Sequence, residues 1–160
     1  MNPEEPGGRK ACNQGSIRRN QRVIVSARRV GQTLIMTSKS SSQLVAIVDD
    51  DQSVQSALKD LMESAGLPAQ CFGSAEEFLE SKHRKQIAVL ITDIRMPGMS
   101  GLELQAMLNA EASRIPIIFI TAHADARMKI QAVKAGAMDF LPKPFDDESL
   151  LANVRIALNG

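Results

Sequence analysis

Five side chains scattered over nearly a hundred positions have the residue types that phosphoryl chemistry needs: Asp49, Asp50, Asp93, Thr121 and Lys143. Three carboxylates set side by side repel, and each would have a raised pKa unless a cation neutralised them. A hard divalent ion with oxygen ligands meets that need. Mg²⁺ is commonly held by one or two carboxylates, waters and phosphate oxygens, with Mn²⁺ as the alternative. A carboxylate is also a nucleophile, and an aspartyl phosphate is a known covalent outcome. Asp93 is the candidate acceptor. The Lys143 ammonium and the Thr121 hydroxyl suit the phosphoryl oxygens on the side away from the metal, so stabilisation would be electrostatic and positional. Ala122 is small and leaves room for a phosphodonor, and Lys143-Pro144 is an X-Pro bond, where a cis form that aims the ammonium inward is least costly.

Each residue alone has a plainer reading. Acidic residues after a strand are often helix caps, and Asp51 reads as one. A lone Asp at a strand end, or a Lys before Pro, is usually loop surface, and Thr121 could simply bond to backbone. What sets the group apart is its placement, which depends on the elements that carry it.

From Leu44 onward, short apolar runs alternate with helical patterns. Leu44–Val48, Ala69–Phe72, 87–92, 115–120 and 138–141 read as strands, and the first, third and fourth are apolar enough to need cover on both faces. Between them, helices start at Asp51 and Ser74, at the loop of Pro97, Gly98 and Gly101, at Asp125 and at Asp146, with Gly66 and Gly136 as stops. Five strands alternating with five helices imply an α/β fold: a doubly wound parallel sheet with helices on both faces. For such a sheet the order 2-1-3-4-5 is common, with ligands at the carboxyl ends of strands one and three. Asp49 and Asp50 end strand one, Asp93 ends strand three, Thr121 strand four and Lys143 strand five. All five groups then share one rim.

The bulk properties leave room for this. The chain has 160 residues and a net charge of +1, with no apolar run near the ~20 residues of a membrane helix. Cys12 and Cys71 have neither metal-like spacing nor a disulfide framework, which fits a reducing, cytoplasmic setting. Residues 1–42 carry eight basic and two acidic side chains, a net +6, so the remainder is at −5. This basic segment has no aromatic residue and no binding motif, and it reads as a solvated, disordered extension; Met36 is a candidate for the true start.

With these residues in place, Val48-Asp49-Asp50-Asp51, the run from Thr92 to Gly101, Ile120-Thr121-Ala122 and the run from Phe140 to Phe145 resemble the receiver domains of two-component signalling. The resemblance is closest to the FixJ-type branch and includes the spacing from Asp50 to Asp93. It covers the chain from about Leu44, so residues 43–160 are expected to form a receiver domain of flavodoxin-like, CheY-like architecture. It implies that Asp93 is the phosphoacceptor, that Asp49 and Asp50 are the Mg²⁺-binding pair, and that Ile94 lends the metal its backbone carbonyl. Thr121 and Lys143 match the switch hydroxyl and the phosphate-binding lysine. Phe140 matches an aromatic that swings inward on activation, although it reads equally well as core.

The resemblance further implies a sensor histidine kinase as phosphodonor and self-catalysed transfer rather than turnover of a substrate. The readout surface would be helix four, strand five and helix five, with dimerisation through that face as an expectation. Arg95 and His123 lie two residues beyond Asp93 and Thr121, where the family tunes phosphoryl lifetime. FixJ-type receivers are commonly followed by a DNA-binding domain that these residues do not include, so this part is expected to touch neither nucleic acid nor membrane. Both a stand-alone receiver and part of a longer regulator stay open. Two rivals remain: a degenerate receiver that only binds proteins, and a Mg²⁺-dependent phosphatase, which would place an Asp-x-Asp motif after its first strand.

Overall fold

Strands that are apolar at every position are covered on both faces. In the computed structural model the described residues are 43–160; the expectations for the basic segment 1–42 lie outside them. The order is β1 (Leu44–Val48), α1 (Gln52–Ser64), β2 (Ala69–Phe72), α2 (Ala75–Glu80), β3 (Ile87–Thr92), α3 (Gly101–Ala110), β4 (Ile117–Thr121), α4 (Ala126–Lys134), β5 (Asp139–Pro142) and α5 (Asp147–Asn159). A 3₁₀ turn at Arg84–Gln86 precedes β3. The five strands form one parallel sheet in the order β2-β1-β3-β4-β5, as expected.

Alternation along the strands divides the core in two. Val45 and Ile47 of β1, Val89 and Ile91 of β3, and Ile118 and Ile120 of β4 face one layer, with Leu58 and Met62 of α1 and Leu150 and Val154 of α5. Ala46, Val48, Leu90, Ile117 and Phe119 face the other, with Phe78 of α2, Leu104 and Leu108 of α3 and Ala132 of α4. Two strand boundaries differ from the sequence reading. β4 opens at Ile117, not Ile115. Pro116 has no N–H for the ladder, although its carbonyl accepts from Leu90 N at 3.0 Å. β5 runs Asp139–Pro142, one residue later than expected, while Met138 N still donates to Ile117 O at 2.8 Å.

The helix starts hold the loops of the carboxyl rim. Asp51 accepts from the amides of Ser53 and Val54, Ser74 from Glu77, Asp125 from Met128 and Asp146 from Ser149. Ser100 and Glu103 form a reciprocal capping box on α3. Gly66 and Gly136, at φ 79° and 101°, take the left-handed turn that ends α1 and α4. Among the described residues, no helix is long and apolar enough to cross a membrane.

Candidate functional site

The site begins where β1 and β3 end together. Val48 pairs with Thr92, so residues 49 and 93 leave the sheet at one level. Asp93 N donates to Val48 O at 3.1 Å, and Asp49 N donates to Phe72 O at 3.1 Å. Asp49 is buried, Asp93 half-buried and Asp50 exposed, and all three offer carboxylate oxygens within 4.8 Å of one another. From β5, Lys143 places Nζ 3.1 Å from Asp49 Oδ2 and 3.3 Å from Asp93 Oδ2. Its main-chain N–H is fixed to Thr121 O at 2.8 Å. The Lys143-Pro144 bond is cis.

Local hydrogen bonds orient the carboxylates. Asp49 Oδ1 accepts from Asp51 N at 2.9 Å, and Asp93 Oδ1 accepts from Ile94 N at 2.6 Å. That turns both Oδ2 atoms toward the lysine. Burial lifts the Asp49 carboxyl above the ordinary 3.8, although the Asp51 amide and the Lys143 ammonium pull it down. Burial also disfavours the Lys143 ammonium, but Asp93 and Asp49 together overcome it and hold the pKa above 10.5. A buried acid with a penalty for ionising, beside two more carboxylates, is a site that gains from a cation.

The donor set fits a hard divalent ion. Ligands about 2.1 Å from Mg²⁺ lie about 2.9 Å apart when adjacent and about 4.2 Å apart when opposite. Oxygens within 4.8 Å of one another are therefore near enough to share one ion after small side-chain adjustments. Asp49, Asp50 and Asp93 are the residues that would hold it. The Ile94 carbonyl, expected at the metal, has a protein partner as well. It accepts from Gly101 N at 2.8 Å and thereby anchors the start of α3, because the turn of the β3–α3 loop directs it there.

Thr121 is fully buried, and its Oγ1 accepts from His123 N at 3.1 Å, so the hydroxyl is engaged with the β4–α4 loop. Phe140 is buried and packs beside Phe119, with ring centroids 6.3 Å apart. Arg95, Ala122 and His123 are exposed on the rim.

A sequence model of the response regulator receiver domain matches residues 45–155. The chain belongs to the response-regulator receiver family. The receiver is 45% identical over 127 residues to the response regulator protein TodT of Pseudomonas putida, covering 79% of this chain and 56% of TodT. It is 43% identical over 114 residues to the transcriptional regulatory protein FixJ of Azorhizobium caulinodans, covering 71% of this chain and 54% of FixJ. The chain thus spans about half the length of these curated relatives. Among solved structures, FixJ-N superposes with a TM-score of 0.66 at 37% identity, covering 76% of this chain and 96% of that one. Receivers are two-component signalling domains, so a fold and family of this kind carry the signalling role expected from the motifs.

Two residues of this receiver's rim escaped the sequence reading in their present roles. Gly101 was visible as loop punctuation, but a Cβ there would run into the Asp93 carbonyl. Gln55, on the first turn of α1, donates from Nε2 to Asp49 O at 2.6 Å and to Phe72 O at 3.4 Å. Only the convergence of three loops makes either visible.

Proposed function

We propose that this receiver takes a phosphoryl group from a sensor histidine kinase onto Asp93 and switches an output surface in response. The observation that carries the reading is the Lys143 ammonium set 3.1 Å and 3.3 Å from Asp49 and Asp93 at the edge of the acidic cluster. An Asp93 carboxylate oxygen attacks the phosphorus of the donor phosphohistidine. The O–P bond forms as the P–N bond breaks, and the imidazole leaves. Asp49, Asp50 and Asp93 would hold Mg²⁺, which would supply positive charge to neutralise phosphoryl oxygens. Lys143 follows the charge from the Asp93 carboxylate to a phosphoryl oxygen. Thr121 donates its hydroxyl hydrogen to another, and as Oγ1 moves its bond from His123 N shifts with it. The chain's own residues catalyse the transfer, and no separate substrate is turned over.

Taking a population from 1:99 to 99:1 requires about 5.5 kcal/mol of differential stabilisation, and the new phosphoryl contacts of Thr121 and Lys143 are its source. The shift at Thr121 moves the β4–α4 loop, and Phe140, already buried beside Phe119, repacks with it. The readout is the face of α4, β5 and α5, where Ile130, Val133 and Ile156 are 54%, 51% and 62% exposed. Exposed apolar side chains on both helices support phosphorylation-dependent dimerisation. The output is transcriptional when a DNA-binding domain is joined, or a partner protein when the receiver stands alone, in the cytoplasm in either case. Arg95 and His123 on the rim tune phosphoryl lifetime.

The test is intact mass after acetyl phosphate and Mg²⁺. The reading expects one added phosphoryl group on the wild type, none on Asp93→Asn and none with EDTA. Beryllofluoride should raise the mass in size-exclusion light scattering. Label on a residue other than Asp93, or steady release of phosphate from unrelated esters, would overturn the proposal.

A further inference from the structure

The carboxylates of the acidic corner are not equally well held. Asp49 is buried, and its two oxygens are fixed by Asp51 N and Lys143 Nζ. Asp93 is fixed by Ile94 N and Lys143 Nζ. Asp50 is exposed, and its carboxylate makes no hydrogen bond or ion pair among the described residues. Its main chain sets the direction of the Cα–Cβ bond from which the carboxylate reaches.

Two side chains hold that main chain: Asp49 Oδ1 accepts from Asp51 N after Asp50, and Gln55 holds the peptide before it. The Asp49 carbonyl and the Asp50 N–H belong to one planar peptide, so holding the carbonyl oxygen fixes the rotation of the plane and the direction in which Asp50 leaves it. Gln55 Nε2 holds that oxygen at 2.6 Å and reaches Phe72 O at 3.4 Å, bridging the ends of β1 and β2. The Gln55 main chain is itself fixed. Its N–H donates to Asp51 O at 3.0 Å, and its carbonyl lies 3.5 Å from Cys71 Sγ on β2.

We infer that Gln55 is a positioning residue for the divalent-cation pocket, acting through the Asp49–Asp50 peptide to present the Asp50 carboxylate to the ion. The inference rests on the reading that this pocket takes Mg²⁺. Partners one step removed from a metal's ligands are typically worth about 10- to 100-fold in affinity. Gln55 acts through backbone on one carboxylate of the set, which places it near the lower end, at about tenfold.

The experiment is isothermal titration of the metal-free, full-length chain with MgCl₂ near pH 8, at a temperature where circular dichroism shows every variant fully folded. Gln55→Met keeps the length of the side chain and removes its donors. Gln55→His returns a neutral ring N–H at nearly the same reach. The expected result is a Kd raised about tenfold in Gln55→Met and largely recovered in Gln55→His. Because only folded protein is titrated, lost stability cannot imitate lost affinity. A Gln55→Met Kd within about twofold of wild type, or a loss that Gln55→His does not recover, would overturn the inference while leaving the metal pocket intact. Absence of Mg²⁺ binding by the wild type would instead remove the pocket on which the inference rests.

Discussion

Replacing Lys143 by Met should make the protein less stable and a better magnesium binder at once. The Lys143 ammonium compensates Asp49 Oδ2 at 3.1 Å and Asp93 Oδ2 at 3.3 Å, and those side chains are only 4% and 12% exposed. Removing one partner of a buried ion pair costs about 3–5 kcal/mol, because the remaining charge stays buried and unpaired. Here the lysine is 19% exposed, so some compensation comes from water, and about 2–3 kcal/mol is the better figure. The same ammonium repels a cation in the pocket. Even at the dielectric of water, a unit charge about 4 Å from a divalent ion is worth about 2 kcal/mol. Magnesium affinity should therefore rise by about tenfold or more in Lys143→Met. Urea unfolding in EDTA and in MgCl₂ reads both effects, since a bound ion stabilises by RT ln(1 + [L]/Kd). The deficit seen in EDTA should shrink or vanish in millimolar Mg²⁺, while labelling by acetyl phosphate falls. The pH signature follows from the sign of the shift. A lysine raised above 10.5 gives stability that is complete below that value and is lost as pH climbs through the folded-state pKa. That loss should be missing in the variant. A Lys143→Met protein as stable as wild type in EDTA, or one that binds Mg²⁺ more weakly, would refute the electrostatic reasoning.

Gly101→Ala should cost about 1–3 kcal/mol and slow labelling of Asp93 by acetyl phosphate, because the new Cβ must displace the Asp93 carbonyl; normal labelling at normal stability would contradict this. Asp49, with a carboxyl raised above 3.8, binds protons more tightly when folded, so in EDTA stability should fall as pH rises from 3.8 through the raised value. Asp49→Asn should lose that slope in urea midpoints taken from about pH 4 to about pH 7. In the same protonation window Mg²⁺ should bind more weakly as pH drops, which titration at several pH values measures. Ser100→Ala breaks the reciprocal cap of α3 and should cost about 1 kcal/mol in urea unfolding, with Mg²⁺ affinity unchanged.

The parts of this molecule legible in sequence are those written in local pattern. Val45 and Ile47 face one layer while Ala46 and Val48 face the other, so a strand with no polar residue has to lie inside a sheet covered on both sides. Asp51, Ser74, Asp125 and Asp146 each accept an amide of the first helical turn, and the cap residues mark those starts without knowledge of the fold. Strand order then brings Asp49, Asp93 and Lys143 to one rim, because side chains at strand ends inherit their position from the sheet. What stayed hidden depends on where main-chain carbonyls point. A glutamine at the fourth position of a helix looks like any solvated residue, and nothing near Gln55 in sequence shows that its amide closes on Asp49 O and Phe72 O. Ile94 shows the same limit from the other side. The family resemblance implied a carbonyl turned to the metal, and sequence alone did not show that this oxygen also meets Gly101 N, seven residues on, where a missing Cβ lets α3 approach the acceptor strand. Side-chain chemistry can thus be placed from strand ends, whereas a carbonyl's direction is settled by the turn that follows it, and that turn is fixed only when the next helix docks.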